Sequence, residues 1–350
     1  MKKTPRIKLL YLATFPPPEG GQRLIFHYLY QDLLNRYQDQ LEIRKVDLSA
    51  KTARRFYILH LVWRFLKGLV AIPRSDVVLF QAPYNYIHFM GPFYYLMCRV
   101  LGKPLITRRS AGNNIELFQK QPRWLRKLLV ATILNADLSC FETHYEVEFF
   151  QKLSRHRVRF ISNNRPLLPL EWKPIDYAPK HFIFLGNLNR EKGVQHLLSV
   201  FPKLAQKYDI QLTLYGKNQI GIESQKLPGI QYGGLLPHEE IPRVLANADV
   251  LVLPSYREGI PGVIIEAFML NKPVIATNLP SIQQIVKDRS TGILIPPGDE
   301  EQLASAIEEI HTNRELYNQL SKNISTFKHQ LSTEYWTDIL VQEIKALVKR

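Results

Sequence analysis

Residues 250–277 read Val250-Leu251-Val252-Leu253, then Pro254-Ser255-Tyr256-Arg257-Glu258-Gly259-Ile260-Pro261-Gly262, then Val263-Ile264-Ile265-Glu266-Ala267-Phe268-Met269-Leu270, and after Asn271-Lys272-Pro273 the run Val274-Ile275-Ala276-Thr277. A short apolar run closed by Pro and Gly reads as a strand covered on both faces, and the longer apolar stretch as a buried helix. Strand, helix and second strand make one βαβ unit. The same alternation extends outward in both directions. Towards the N-terminus it predicts strands near 182–185 and 211–215, and before those near 8–14, 41–47, 76–82, 104–108, 138–143 and 157–162. Helical patterns begin near Gln22, Ala53, Tyr86, Trp124 and Tyr145. After Gly193, Val194, Leu197, Leu198, Phe201, Leu204 and Ala205 recur with helical spacing. Towards the C-terminus come a strand at 293–295, helix over 300–311 and on to about 327, and a last amphipathic helix over 335–349 with no strand following it. Repeated βαβ units predict an α/β fold with parallel sheets covered on both sides.

At 350 residues the chain exceeds one ordinary core and suits two domains. The seam falls over 164–180, where Arg165-Pro166, Leu168-Pro169, Lys173-Pro174 and Ala178-Pro179 interrupt any continuous element. This places one domain over 1–165, a linker over 166–180 and a second domain over 181–331. The two cysteines, Cys98 and Cys140, form no ligand spacing and read as reduced, buried side chains, which points to the cytosol and to no zinc site.

The net charge of +15 is polarised: residues 1–170 carry 27 Lys and Arg against 11 Asp and Glu, whereas residues 171–350 carry 19 against 20. The first half is therefore expected to meet an anionic surface. Met1-Lys2-Lys3 leads only into a short strand ending at Phe15-Pro16-Pro17-Pro18, so no signal peptide is read there. Two apolar stretches, 56–72 and 86–101, are interrupted by His60, Arg64 and Lys67 or by Gly91-Pro92, and fall short of the ~20 apolar residues of a membrane span. The first mixes Phe56, Leu59, Trp63, Leu66 and Val70 with Arg54, Arg55, Arg64, Lys67 and Arg74, the composition of an interfacial helix, to which Trp124, Arg126 and Lys127 add. A core helix with a solvated basic side has the same composition.

Parallel sheets bind ligands beyond the carboxyl ends of their strands. After the strand at 182 comes Gly186-Asn187-Leu188-Asn189-Arg190-Glu191-Lys192-Gly193, a loop at a helix N-terminus suited to an anion, with Lys192 adding charge. After 253 comes the loop containing Glu258, and then a helix with no polar face and Glu266 in its middle. A buried carboxylate needs a partner. A ribose diol would serve, and so would an internal arginine such as Arg243 or Arg257. The third loop, Phe15 to Gly21, carries Gly20-Gly21 directly before a helix, a possible anion nest or a stiff turn.

Taken together, the segment Val250–Phe268 with its two glutamates eight positions apart, Lys272–Thr277, Thr291–Asp299 and the Gly186–Gly193 loop resembles the donor domain of glycosyltransferase family 4. The resemblance implies the GT-B fold, two Rossmann-like domains facing across a cleft, with a final helix from about Ser332 crossing back to the first domain over 332–350. It implies a retaining transferase, in which the leaving diphosphate takes the acceptor proton and the protein neutralises developing charge. Glu258, Lys192 and Arg190 would be catalytic. The donor, a nucleotide-diphosphate sugar of hexose type, would meet Gly20, Gly21, Gly186, Asn187, Lys192, Gly216, Tyr232, Gly233, Leu235, Glu258, Gly259, Ile260, Pro261, Gly262, Val263 and Glu266. Neither a cofactor nor a metal is implied, and the sequence has no Asp-x-Asp triplet.

Two departures stand out. The arginine that usually follows the glycine of the diphosphate loop is Asn187 here, leaving either Arg190 as a substitute or weaker stabilisation of the leaving group. Leu279-Pro280-Ser281 replaces the usual glycine pair, and Gln283-Gln284 stands where a glutamate is common. The Arg108–Asn113 loop after a strand end is expected to open on the cleft, with Arg108, Arg109, Asn113 and His144 contacting an acceptor. That acceptor is expected to be a lipid-linked or polysaccharide-precursor glycan at the cytoplasmic membrane face, and no nucleic acid is expected. A nucleotide-sugar epimerase of the same fold, and a non-catalytic binder of membranes or anionic polymers with a degenerate donor site, remain as alternatives.

Overall fold

The computed structural model describes residues 5–16, 21–49, 57–110, 112–221 and 227–349. The chain divides into two compact units, residues 1–164 with 333–350, and residues 165–332.

Unit 1 is built on six parallel strands: β1 (Ile7–Ala13), β2 (Leu41–Asp47), β3 (Val77–Gln81), β4 (Leu105–Arg109), β5 (Leu138–Phe141) and β6 (Arg157–Phe160). They lie in the order β2-β1-β3-β4-β5-β6. Residues 9–13 of β1 and 77–80 of β3 are buried, which is why these stretches are apolar without alternation, while β4 is buried throughout although it ends in Thr107-Arg108-Arg109. One face is covered by α1 (Gly21–Tyr37) and by the last helix, α12 (Thr333–Val348). Trp336, Leu340 and Ile344 of α12 join Leu9, Tyr11 and Phe26 in that core. Asp338 also takes hydrogen bonds from Arg36 and Tyr37 of α1, each at 2.6 Å. The C-terminal helix thus rejoins the first unit, as the sequence predicts. The other face carries α2 (Tyr57–Ala71), α3 (Tyr84–Val100), α4 (Asn114–Gln119), α5 (Arg123–Ala131) and α6 (His144–Gln151), over a core that includes Phe80, Tyr94, Leu129 and Phe150.

Unit 2 repeats the plan with β7 (His181–Leu185), β8 (Gln211–Tyr215), β9 (Ile230–Gly234), β10 (Val250–Leu253), β11 (Val274–Thr277) and β12 (Gly292–Ile295). Its order is β12-β11-β10-β7-β8-β9, again all parallel. The helices are α7 (Val194–Lys207), α8 (Ile241–Ala246), α9 (Gly262–Met269), α10 (Glu300–Thr312) and α11 (Arg314–Phe327). The chain steps from β7 out to β9 and returns to the other side of β7 at β10, so the strand order reverses between β7 and β10. That is where a crevice opens in sheets of this type.

The residues read as a linker belong physically to unit 2. Trp172 Nε1 donates to Ser321 Oγ (3.1 Å), Ile175 N to Asn318 Oδ1 (2.9 Å), and the buried Lys328 amine to the carbonyls of Leu168, Leu170 and Met269. Prolines stop helix and strand there, but these hydrogen bonds fix the segment. Among the described residues, no helix is long and apolar enough to cross a membrane.

His88 is one of the titratable groups that tie unit 1 to pH. His88 on α3 lies against Tyr84, ring centroids 3.4 Å apart, and burial, reinforced by Arg109, pulls its pKa down to about 3. The unfolded state therefore binds a proton between about pH 6.5 and 3 that the folded state refuses, so the contribution is full above pH 6.5 and is lost on acidification. Urea unfolding should show stability falling across that window by up to about 1.4 kcal/mol per pH unit from this group. His88→Phe should remove that part of the slope, and an unchanged slope contradicts the assignment.

Candidate active site

The crevice of unit 2 is built by the two loops that leave β7 and β10. The first runs from Gly186 to Gly193 and feeds α7; the second runs from Pro254 to Pro261 and feeds α9. Tyr256 N donates to Glu191 O across them (2.8 Å). Gly193 has a φ of +70°, and a Cβ there would collide with the Pro254 carbonyl, so only glycine lets the loops approach this closely. Neither α7 nor α9 has a side-chain N-cap bond. His196 N and Ile264 N bond back to the Gly193 and Pro261 carbonyls (3.0 and 3.2 Å), so the N–H groups before them in each first turn are the ones a bound anion would meet.

Lys192 and Glu258 meet across the reversal point, Nζ to Oε1 at 2.7 Å. Ser255 Oγ donates to the same carboxylate oxygen (2.8 Å), and Ser281 Oγ to the Glu258 carbonyl (2.9 Å). The serine of Leu279-Pro280-Ser281 therefore anchors the loop that carries Glu258. Arg190 and Asn187 are exposed on the rim of the first loop. Ile260 and Pro261 are buried beneath the second, and Gly259 and Val263 are partly covered.

Glu266 has a partner that the sequence reading did not find. Arg165 Nε donates to Glu266 Oε1 at 2.5 Å, with both side chains nearly buried. The expected alternatives, Arg243 and Arg257, are engaged differently: Arg243 pairs with Glu240, and Arg257 is exposed on the loop. The Arg165 guanidinium also fills the space beside Gly262, where any Cβ would strike it. Glycine at the first position of α9 is thus required by a residue about a hundred positions away.

The far wall comes from β7, β8 and β9. Gly186 N donates to Tyr215 O (3.0 Å) and Gly216 N to Gly234 O (2.9 Å), and a Cβ on Gly216 would overlap the Gly186 carbonyl. Tyr232 Oη donates to Gly216 O (3.1 Å), a Cβ on Gly233 would strike the Tyr215 ring, and Leu235 is exposed just beyond. A chain absent from the sequence reading borders the site: His196 lies between Glu300 (2.8 Å) and Tyr256 Oη (2.8 Å). Hydrogen bonds from Ser199 and His196 hold the Glu300 carboxyl below its ordinary pKa.

In unit 1 the four expected acceptor residues diverge. Adjacent residues of a strand point to opposite faces. Arg108 turns to the α1 face, is buried, and donates to Ser162 O (2.9 Å); burial lowers its pKa. The loop therefore does not open at Arg108. Its neighbour Arg109 faces α3 and α6, 2% exposed and over the Phe141 ring at 5.0 Å. Among the described residues, none of its three side-chain nitrogens has a hydrogen-bond partner, nor do the buried Tyr84 Oη, Ser110 Oγ and Asn113 Oδ1. Burial brings the Arg109 pKa down to about 10. His144 stacks on Phe160, centroids 4.0 Å apart. Gly21 begins α1 with open space at its Cα; Gly20 lies outside the described residues.

Residues 173–327 match the family model of glycosyl transferases group 1. Similar curated proteins include the alpha-D-kanosaminyltransferase of Streptomyces kanamyceticus, 23% identical over 66% of this chain and 67% of that protein. An uncharacterised glycosyltransferase of Haemophilus influenzae is 26% identical over 65% of this chain and 64% of that one. Among solved structures, Anabaena Alr3699/HepE in complex with UDP superposes with a TM-score of 0.71 at 16% identity, covering 97% of this chain and 100% of that one. The same protein in complex with UDP-glucose gives 0.70 at 17% identity, over the same shares of the two chains. The chain has the α/β fold of these structures, and its residues 173–327 resemble the glycosyl transferases group 1.

Proposed function

We propose that this chain transfers a hexose-type sugar, with retention of configuration, from a nucleoside diphosphate sugar to a lipid-linked or polysaccharide-precursor glycan at the cytoplasmic face of a membrane. The observation that carries the reading is the Lys192–Glu258 pair at the reversal point of the unit 2 sheet, between two helix N-termini without side-chain caps. Anabaena HepE has been crystallised with UDP and UDP-glucose, which supports a donor of that class. The diphosphate lies against the α7 N-terminus, Lys192 and Arg190, with Gly186 and Asn187 at its edge. Glu266, oriented by Arg165, receives the ribose hydroxyls, and Gly216, Tyr232, Gly233 and Leu235 border the base. Glu258 and the backbone of 259–263 hold the sugar.

Retention follows from attack on the face the diphosphate leaves. The acceptor oxygen bonds to the anomeric carbon as the carbon–oxygen bond to the diphosphate breaks, and a diphosphate oxygen takes the acceptor proton. Lys192, Arg190 and the helix N-termini stabilise the negative charge that grows there. Lys192 is held by Glu258 before substrate arrives, so it needs little reorganisation. In unit 1 the bare guanidinium of Arg109, with Tyr84 and Asn113, takes an anionic group of the acceptor.

Purified protein given a panel of nucleoside diphosphate sugars should release nucleoside diphosphate only when membrane extract supplies acceptor. Isomerisation of the sugar without acceptor points instead to an epimerase, and absence of turnover to a binding protein. Lys192→Met should lower kcat by about 100-fold or more. Glu266→Gln should weaken nucleotide affinity by about 10- to 100-fold, the worth of a charge-assisted hydrogen bond. Glu258→Gln should leave free nucleotide binding intact and depress transfer; calorimetry and single-turnover rates separate the two. Arg109→Gln should raise the acceptor KM while donor affinity stays constant. A donor affinity that falls with Arg109→Gln contradicts its assignment to the acceptor.

A further inference from the structure

Large apolar side chains exposed to solvent are concentrated on three neighbouring helices of unit 1. On α2 Tyr57 is exposed, and with it Ile58, Leu59, Val62, Trp63, Leu66 and Val70, at helical spacing along one stripe. Only Gly68 and Ala71 of that helix are buried. It rests on the unit along a narrow line where Gly68 meets Tyr94 so closely that a Cβ would press on the hydroxyl. On α3 a second stripe, Phe89, Phe93, Leu96 and Val100, is open, Phe89 at 80% and Val100 at 82%. The stripes join where Phe65 packs edge-on against Phe93, centroids 5.6 Å apart. On α5, Trp124 and Leu128 continue the exposed set. Exposed apolar surface this continuous is a binding surface rather than ordinary scatter.

Charge decides the occupant. None of the 15, 17 and 9 residues of α2, α3 and α5 is acidic, while Lys67, Arg123, Arg126 and Lys127 supply positive charge; Arg64 and Arg99 are basic too but are paired with Asp47 and Asp137. The Lys67 amine lies 5.1 Å from the centre of the Trp63 ring, an aromatic and a cation side by side at the edge of the stripe. A second copy of the same face would set these cations against one another. An anionic lipid leaflet offers both parts of the complement, acyl chain for the stripe and phosphate for its margin.

We infer that the α2–α3–α5 face is a membrane-docking surface, in which the apolar stripes of α2 and α3 enter the interface of an anionic leaflet and the basic residues meet its headgroups. For its purpose, holding the enzyme where a lipid-linked acceptor resides, this rests on the proposed function. Binding itself does not depend on it. The surface extends the interfacial segment expected over 56–74 to a second helix, α3, whose stripe the sequence reading took only as too short to span.

Vesicle sedimentation tests it. The full chain should pellet with phosphatidylglycerol-containing vesicles at low salt, less with pure phosphatidylcholine, and less as salt rises. Leu59→Glu/Phe89→Glu should abolish pelleting, and Lys67→Gln/Arg123→Gln/Lys127→Gln should weaken it about a hundredfold, near fivefold per charge. Both variants should keep the wild-type melting temperature and nucleotide affinity, since these side chains are exposed on unit 1 and the donor loops belong to unit 2. No pelleting of wild type, or equal pelleting of the Glu variant, overturns the inference. A dimer that Phe89→Glu dissociates, seen by sedimentation velocity without vesicle binding, assigns the face to a second copy and overturns it too. Loss of transfer with vesicle binding intact would count against the proposed function alone.

Discussion

A carboxylate in the middle of an apolar helix has to be neutralised from somewhere, and in unit 2 Arg165 does it. The Arg165–Glu266 pair fixes three things at once. It holds the pre-β7 segment onto the unit, makes glycine obligatory where α9 begins, and sets the direction in which Glu266 presents itself to the crevice. Removing one member of such a pair generally costs ~3–5 kcal/mol, because the other is left buried and charged. Its value lies in position more than in net stability, since well-packed apolar residues often do as well energetically.

The Lys192–Glu258 contact plays the matching part at the mouth. Two loops from strands that are neighbours in space but far apart in sequence are brought to contact by Gly193, and a lysine from one is held by a glutamate from the other. The bond arranges the cation before any ligand arrives, and Ser255 and Ser281 hold the glutamate in turn. Stabilisation of a leaving group by charge already in place needs little reorganisation at the moment of reaction.

How much of this was legible in the sequence follows from the range of the interactions. Eleven strands could be read from short runs alternating with helical patterns, most plainly β1, β3, β10 and β11, which are apolar because both their faces are covered. β9 could not: Ile230-Gln231-Tyr232 alternates only briefly before two glycines, and its residues are at most half-buried. The short helices α4 and α8 were missed for the same want of length. Glu258 and Glu266 stood out because one lies in a glycine-rich loop and the other interrupts an apolar helix. Arg165 did not, since nothing local marks an arginine in a proline-rich stretch as the partner of a residue about a hundred positions on. The opposite fates of Arg108 and Arg109 follow from strand alternation. The expectation of a loop open at both arginines failed because β4 extends through Arg109.

Hydrogen exchange of the full chain, read by mass spectrometry with and without a panel of nucleoside diphosphate sugars, tests the donor site most directly. The account predicts that at least one sugar nucleotide slows exchange at the backbone amides of 193–196 and 259–265, the first turns of α7 and α9 with the loop residues before them. Slowing confined to unit 1, or no slowing at either helix start with any member of the panel, would contradict it.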